Sequence, residues 1–181
     1  MYSLKYFLIT FFSFSLHSAI AQTFTPTDAG SKVHFVIKNF GVKVGGDFSG
    51  LQGSVTFNPA NLSSCHFSVT VKSASVDTDN RAMENHLRKA EFFDVAQFPF
   101  LTFTSTRVTT STIPDRYYMY GNLTIKGVTK PVEFGFSAIK TTTGFDFKGE
   151  FELNRRDFGV GGNSFSLSDN LKVILDINVS K

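Results

Sequence analysis

Charged residues concentrate between positions 77 and 94, and their types could do chemistry. The stretch reads SVDTDNRAMENHLRKAEFFDVAQFPF over residues 75–100. Its charged or titratable members are Asp77, Asp79, Arg81, Glu84, His86, Arg88, Glu91 and Asp94. Such a set could form a metal site, an acid/base site or the polar side of a short helix.

The spacing of these residues disfavours a metal site and a catalytic site. Neither HxxxH nor ExxH occurs, and Glu84 precedes His86 by two residues, which directs the two side chains to different sides of a helix. GxSxG and Walker-type motifs are also missing from the sequence. We therefore predict no catalytic residue, no metal and no enzyme; a lipid-modifying enzyme that uses the His86 segment is the minor alternative.

A short helix explains the charged stretch better. Asp79 or Asn80 can cap a helix N-terminus, and Glu84 precedes Arg88 by four residues, the favourable order for a surface ion pair. Apolar residues recur at helical spacing on one side; they are Met83, Leu87 and Ala90. These features predict a helix of two to three turns.

Two polar residues are candidates for contact with a ligand head group. His86 lies on the same side of the predicted helix as Met83. There it either packs under the helix with one hydrogen bond or contacts a ligand. Arg156, in the sequence Arg155-Arg156-Asp157, either joins a local ion pair or makes a polar contact at the mouth of a barrel. Both alternatives stay open for each residue.

The rest of the chain alternates apolar and polar residues with the period of a β-strand. The alternating runs cover approximately residues 33–38, 53–57, 67–72, 101–106, 117–125, 132–138, 145–153 and 173–179. Lys126-Gly127 indicates a tight turn, whereas Gly45-Gly46 is interpreted as a strand break or a loop turn. Eight consecutive antiparallel strands hide their edges best in a closed barrel, with a two-sheet sandwich as the alternative. We predict an all-β, eight-stranded antiparallel lipocalin-like barrel with one short helix between its third and fourth strands.

Composition points to an apolar interior. The chain has 22 phenylalanines and no tryptophan, which supports a thick core or an apolar cavity. The formal charge of +3, without a cluster of basic residues, makes nucleic acid a poor partner. A single cysteine, Cys65, excludes an internal disulfide.

The N-terminus has the pattern of a secretory signal peptide. Lys5 precedes an apolar run over residues 6–16, and Ala19-Ile20-Ala21 places small residues where a signal peptidase cleaves. We predict a signal peptide over 1–21, a single domain over 22–181 and a periplasmic or secreted mature protein. No second apolar run is long enough to span a bilayer as a helix.

Three ordered motifs resemble those of the bacterial YceI-like family. The first is SVDT followed by Arg81, His86-Leu87-Arg88, Glu91-Phe92-Phe93 and Phe98-Pro99; the second is GNLTIKGVTKPVEF over 121–134; the third is RRDFGVG over 155–161. The resemblance covers nearly the whole mature chain. It implies a lipocalin-like barrel that is exported, has no established catalytic residues and holds a long apolar molecule such as a polyisoprenoid, an isoprenoid quinone or a fatty-acid amide.

The expected ligand is therefore a long-chain apolar lipid, with no other cofactor, carried for transport, storage or stress protection. Inward apolar residues are the candidates for its binding site: Phe35, Ile37, Phe48, Val55, Phe57, Leu87, Phe92, Phe93, Phe103, Phe134, Phe136, Phe147 and Phe151. A structural or interaction barrel with a filled interior, which could pair through an edge as a homodimer, is the alternative.

Overall fold

A computed structural model describes residues 22–181 as one antiparallel sheet with a short helix. The predicted signal peptide lies outside the described residues. The strands are β1 (Thr23–Pro26), β2 (Lys32–Asn39), β3 (Val42–Phe48), β4 (Gln52–Thr56), β5 (His66–Lys72), β6 (Phe100–Thr110), β7 (Arg116–Ile125), β8 (Val128–Lys140), β9 (Gly144–Asn154) and β10 (Leu167–Ser180); the helix is α1 (Arg81–Leu87). The helix lies between the third and fourth of the strand runs recognised in the sequence, as predicted.

Eight strands close into a barrel through the two ends of the chain. Strands β4 to β10 are neighbours in sequence order, and β1 pairs with both β4 and β10. The closing pairs are Thr23 with Thr56 and Thr25 with Ser180. The ring is thus β1–β4–β5–β6–β7–β8–β9–β10, which confirms the predicted eight-stranded antiparallel barrel.

Strands β2 and β3 continue the sheet at the opposite end of the barrel from β1. The strand β10 pairs with β1 at its C-terminal end and with β2 over Leu167–Asp176, so β1 and β2 lie along successive parts of the same edge. The far side of β3 makes one bridge, in which Asp47 and Asp77 exchange backbone hydrogen bonds of 2.8 and 3.0 Å. The segment that contains α1 therefore adjoins β3 at the end where the barrel is not closed by strand pairing.

The interpretation of Gly45-Gly46 as a strand break was wrong. Both glycines lie inside β3, opposite Val36 and Phe35 of β2. A β-carbon at Gly45 would lie 2.5 Å from the Phe35 carbonyl oxygen, and one at Gly46 would lie 2.6 Å from that of Asp77. These positions need glycine because neighbouring backbone approaches closely, and not because the strand ends there.

The turn between β7 and β8 was predicted correctly. Lys126 and Gly127 connect the strands, with φ angles of 50° and 73°. Positive φ at both central residues is the geometry of a two-residue hairpin turn that matches the twist of the flanking strands. The GNLTIKGVTKPVEF motif is therefore a hairpin that forms part of the barrel wall.

Two apolar clusters occupy the interior at different depths. The lower cluster fills the end closed by β1; its buried members are Phe24, Val55, Phe57, Phe67, Val108, Met119, Phe136, Ala138, Phe145, Phe147 and Val179. The upper cluster, near α1, is smaller and contains Phe92, Ile125, Phe158 and Val160. The space between the upper cluster and the barrel wall is the cavity described next.

Candidate ligand-binding cavity

A cavity of about 610 Å³ occupies the upper half of the barrel, within the usual range for a small-molecule site. Its wall comes from the inner faces of most strands, and α1 with the residues that follow it contributes Met83, Leu87, Phe92 and Phe93. Three lining residues are exposed to solvent, namely Val44, Asn80 and His86. The cavity therefore opens between β3 and α1.

The charged stretch that could have been an active site fixes α1 in place. The Asn80 side chain caps the helix by accepting a hydrogen bond from the Met83 backbone at 3.1 Å. Arg88 donates hydrogen bonds to the carbonyl oxygens of Ala74 at 2.9 Å and Val76 at 3.0 Å. It also lies 3.5 Å from Glu84, as the spacing predicted. These charges hold the helix against the chain that follows β5.

Helix α1 is shorter than the apolar stripe suggested. It ends at Leu87, so Ala90 lies beyond it in an exposed turn, while Met83 and Leu87 line the cavity. The Phe92 backbone then bonds to Lys89 and that of Phe93 to Leu87, at 2.9 and 3.0 Å. This tight turn directs two successive phenylalanines toward the interior.

His86 lies at the opening of the cavity. Its ring centroid is 4.7 Å from that of Phe92, and its side chain makes no hydrogen bond to any residue from 22 to 181. The expected packed histidine with one hydrogen bond is therefore not observed. The other alternative, contact between His86 and the head group of a ligand, stays open.

Arg156 lies outside the cavity, which corrects its interpretation as a residue of the barrel mouth. Its guanidinium bonds to Asp169 at 3.3 Å and to Asn163, and half of the side chain is exposed. The preceding residue, Arg155, is the one that lines the cavity. It is only 2% exposed, because the turn Arg155–Phe158 directs it inward.

Arg155 closes the upper wall through its full set of donors. It donates to the backbone oxygens of Ser168 at 2.9 Å, Val160 at 2.8 Å and Gly162 at 2.9 Å, and it bonds to Asp169 at 2.9 Å. A buried guanidinium whose donors are all directed at carbonyls and a carboxylate is satisfied by the protein itself. Its role is to fix the loop that follows β9.

The candidate apolar residues divide between cavity and packed core. Nine of the thirteen line the cavity: Phe35, Ile37, Phe48, Leu87, Phe92, Phe93, Phe103, Phe134 and Phe151. Four lie in the lower cluster instead, which corrects their placement in the cavity wall: Val55, Phe57, Phe136 and Phe147. These four face inward as the alternation predicted, but at a depth where side chains fill the barrel.

A histidine in the cavity wall and its polar partner were missed by the sequence reasoning. The His34 Nδ1 atom lies 2.9 Å from the Asp47 carboxylate, across the β2–β3 pair, and the His34 ring borders the cavity beside Gly45. The pairing of β2 with β3 brings them together, and that pairing was hidden by the interpretation of Gly45-Gly46 as a break. Apart from His34, His86 and Arg155, the polar residues in the wall are asparagines, serines and threonines.

Neither a metal-binding cluster nor a membrane-spanning helix is found among the described residues. Between residues 22 and 181, no three His, Cys, Asp or Glu side chains converge as a metal site would require. No helix in the same range is long and apolar enough to cross a membrane. The cavity is instead an apolar compartment with a few polar groups at its edge.

The fold and cavity together define a small antiparallel barrel with an apolar cavity. The family model for the YceI-like domain matches residues 24–179. Protein YceI of Salmonella arizonae is 33% identical over 175 residues, which cover 91% of this chain and 90% of that protein. The chain belongs to the YceI-like family.

Solved structures show the same architecture. The crystal structure of Burkholderia cenocepacia BcnA aligns with a TM-score of 0.79 at 25% identity, covering 84% of this chain and 98% of that one. A polyisoprenoid-binding domain from Saccharophagus degradans, implicated in plant cell wall breakdown, aligns with a TM-score of 0.68 at 14% identity, covering 87% and 97%. This last similarity concerns the fold alone.

Proposed function

We propose that the chain is an exported lipid-binding protein that holds an isoprenoid-like molecule, such as a polyisoprenoid or quinone, or another long apolar ligand inside its barrel. The observation that carries the proposal is the apolar cavity of about 610 Å³, with its opening beside α1. The proposed role is transport, storage or stress protection. Similarity to a domain described as polyisoprenoid-binding supports the ligand class.

The cavity volume supports a specific ligand length. At about 30 Å³ for a group the size of a water molecule, 610 Å³ accommodates about twenty carbon atoms. Each buried methylene contributes about 0.8 kcal/mol to binding before the cost of ordering the ligand. A linear ligand of about four isoprene units would therefore fill the cavity, and additional units would project through the opening.

Prenol binding tests this proposal. Titration of the purified protein with prenols of two, three, four and more isoprene units should show affinity that rises with each unit and levels off near the fourth. An organic extract of the natively purified protein, analysed by mass spectrometry, should contain a long-chain lipid. If no lipid is extracted and the affinity does not depend on chain length, the proposed lipid binding is wrong.

A matched pair of variants connects binding to the cavity. Val173→Phe adds a ring to the cavity wall, whereas Ile139→Phe places the same ring at an exposed site on β8. Val173→Phe should shorten the preferred prenol, and Ile139→Phe should leave it unchanged. Equal effects of the two substitutions would contradict binding inside the barrel.

Export is tested by the N-terminus of the mature protein. Expression of the full chain in a bacterium with a periplasm, followed by N-terminal sequencing, should give Gln22 as the first residue. A protein that retains Met1 would overturn the predicted signal peptide, without changing the proposal for the cavity.

A further inference from the structure

Two phenylalanines at the open end of the barrel point into solvent. Phe165 is 96% exposed and Phe40 is 71% exposed, and their rings meet edge to face with centroids 5.6 Å apart. Phe40 occupies the turn between β2 and β3 with a φ of 48°, and its backbone bonds to Ser166 at 2.8 Å. The turn and the 159–166 loop thus present two rings together, outside the core.

The two rings continue an apolar surface that begins inside the cavity. Val44, which lines the cavity, is 38% exposed, and Val42, two residues nearer the turn on the same side of β3, is 65% exposed. Asn39 and Ser166, the chain neighbours of the two phenylalanines, also line the cavity. We define the mouth patch as Phe40, Val42, Val44 and Phe165; it extends from the cavity to the tip of the barrel.

Positive charge flanks the mouth patch. Lys38 and Lys43 lie directly opposite each other on β2 and β3, one residue out of phase with the inward Ile37 and Val44. Neither ammonium group is within 4.0 Å of a carboxylate in the part of the chain that the structure describes. Apolar side chains beside unpaired lysines suit the interface of an anionic bilayer, where rings enter among the head groups and lysines contact phosphates.

We propose that the mouth patch binds the surface of an anionic lipid bilayer, with Phe40 and Phe165 inserted at the level of the head groups. In this orientation the cavity opening lies against the bilayer, so an apolar molecule passes between membrane and barrel without crossing water. This surface is an addition to the proposed function, and vesicle binding can be measured whether or not the cavity holds a ligand.

Vesicle flotation tests the proposal. The mature protein is mixed with phosphatidylcholine vesicles, with and without about 30% phosphatidylglycerol as the anionic lipid. The variant Phe40→Asn/Phe165→Ser removes both rings, and asparagine suits the positive φ of the turn. The control Ile113→Ser/Ile139→Ser removes two residues that are 55% and 51% exposed near Asp115, at the lower end of the barrel.

The wild type and the isoleucine control should float equally with anionic vesicles, and the phenylalanine variant should bind about tenfold more weakly. Lys38→Gln/Lys43→Gln should remove most of the preference for phosphatidylglycerol, since each lysine near an anionic surface strengthens binding by about fivefold. Equal flotation of all variants would overturn the proposal. So would sedimentation showing that the wild type is a dimer and the phenylalanine variant a monomer, because the patch would then bind a second copy.

Prenol binding in vesicle-free solution separates this proposal from the proposed function. The phenylalanine variant should bind a four-unit prenol as the wild type does, because both rings lie outside the cavity, but should acquire it more slowly from vesicles. If the wild type does not bind prenol, the proposed function is wrong, and the vesicle experiment still decides whether the mouth patch binds membranes.

Discussion

Phe57 and Phe151 are both inward phenylalanines of the same barrel, yet their surroundings differ. Phe57 lies within 6.2 Å of five other aromatic rings, mostly in edge-to-face contact. Phe151 stacks on one ring, that of Phe134 at 4.8 Å, and another part of its surface borders the cavity. The lower half of the barrel thus uses aromatic rings to fill space, whereas the upper half uses them to line it.

This difference separates stability from binding along the barrel axis. Rings that contact one another on several sides contribute packing energy to the fold. Rings that border a cavity lack protein contacts on one side, and a ligand can make those contacts instead. Substitutions at equivalent inward positions should therefore affect mainly stability in the lower half and mainly binding in the upper half.

The largest expected effect is from truncation of an inward ring. Phe57→Ala should lower the free energy of unfolding by about 3–5 kcal/mol, because it leaves a large cavity in a packed cluster. Phe151→Ala should cost about half as much and should weaken prenol binding instead. Urea unfolding and prenol titration of both variants measure the contrast; equal losses of stability would show that the two halves are packed alike.

The next effect distinguishes the two adjacent arginines. Arg155→Met should cost about 3 kcal/mol in unfolding free energy, because it leaves buried carbonyl groups without donors. Arg156→Met should change it by less than about 0.5 kcal/mol, as expected for an exposed ion pair. Thermal or urea unfolding checks both, and a large loss in Arg156→Met would contradict the assignment of the loop-fixing role to Arg155.

Added volume should destabilise the lower half more than the upper half, as truncation does. Val55→Phe overpacks the lower cluster and should cost about 1–3 kcal/mol. Val173→Phe places the same group where the cavity has room, so the free energy of unfolding of the ligand-free protein should change by less than about 1 kcal/mol. Urea unfolding after delipidation measures both; a destabilised Val173→Phe variant would indicate that the cavity wall cannot accept the ring.

The smallest expected effect concerns the thiol of Cys65, which packs against the lower cluster. Burial raises the pKa of the Cys65 thiol, and the Asn58 backbone hydrogen bond only partly offsets this. A raised pKa leaves less thiolate at about pH 8, so iodoacetamide should alkylate Cys65 more slowly than an exposed cysteine. The control is Cys65→Ser/Ser63→Cys, which moves the cysteine to an exposed position. Mass spectrometry should show faster alkylation of this control than of the wild type. Equal rates would argue against the shielding of Cys65.

The sequence predicted which residues form the barrel wall better than it predicted their position along the barrel axis. Alternation of apolar and polar residues separated the two faces of each strand, because that pattern is local, and the more apolar face was the candidate for the interior. It could not distinguish Phe147 in the lower cluster from Phe151 in the cavity wall, which occupy the same face of β9. Their depth depends on how far neighbouring strands are offset, and that offset is set by pairing between distant segments.

The candidate head-group residues show the same limit. His86 was placed near the cavity because helical spacing put it beside Met83, which does line the wall. Arg155 and Arg156 are adjacent and chemically alike, so the sequence offered no signal for which one turns inward. A short turn decides that question, through hydrogen bonds to residues 160–169 that no local pattern reveals.

The strand pair that closes the barrel joins the first and last segments of the described chain. Phe24 and Val179 are almost fully buried there, and Pro26 pairs with Val179. Contacts of such long sequence separation form late and slow the folding of β-proteins. A nascent chain that lacks β10 therefore cannot complete its ring, and the barrel closes only after β10 has been synthesised. Late closure would keep the polypeptide from folding completely before the proposed export.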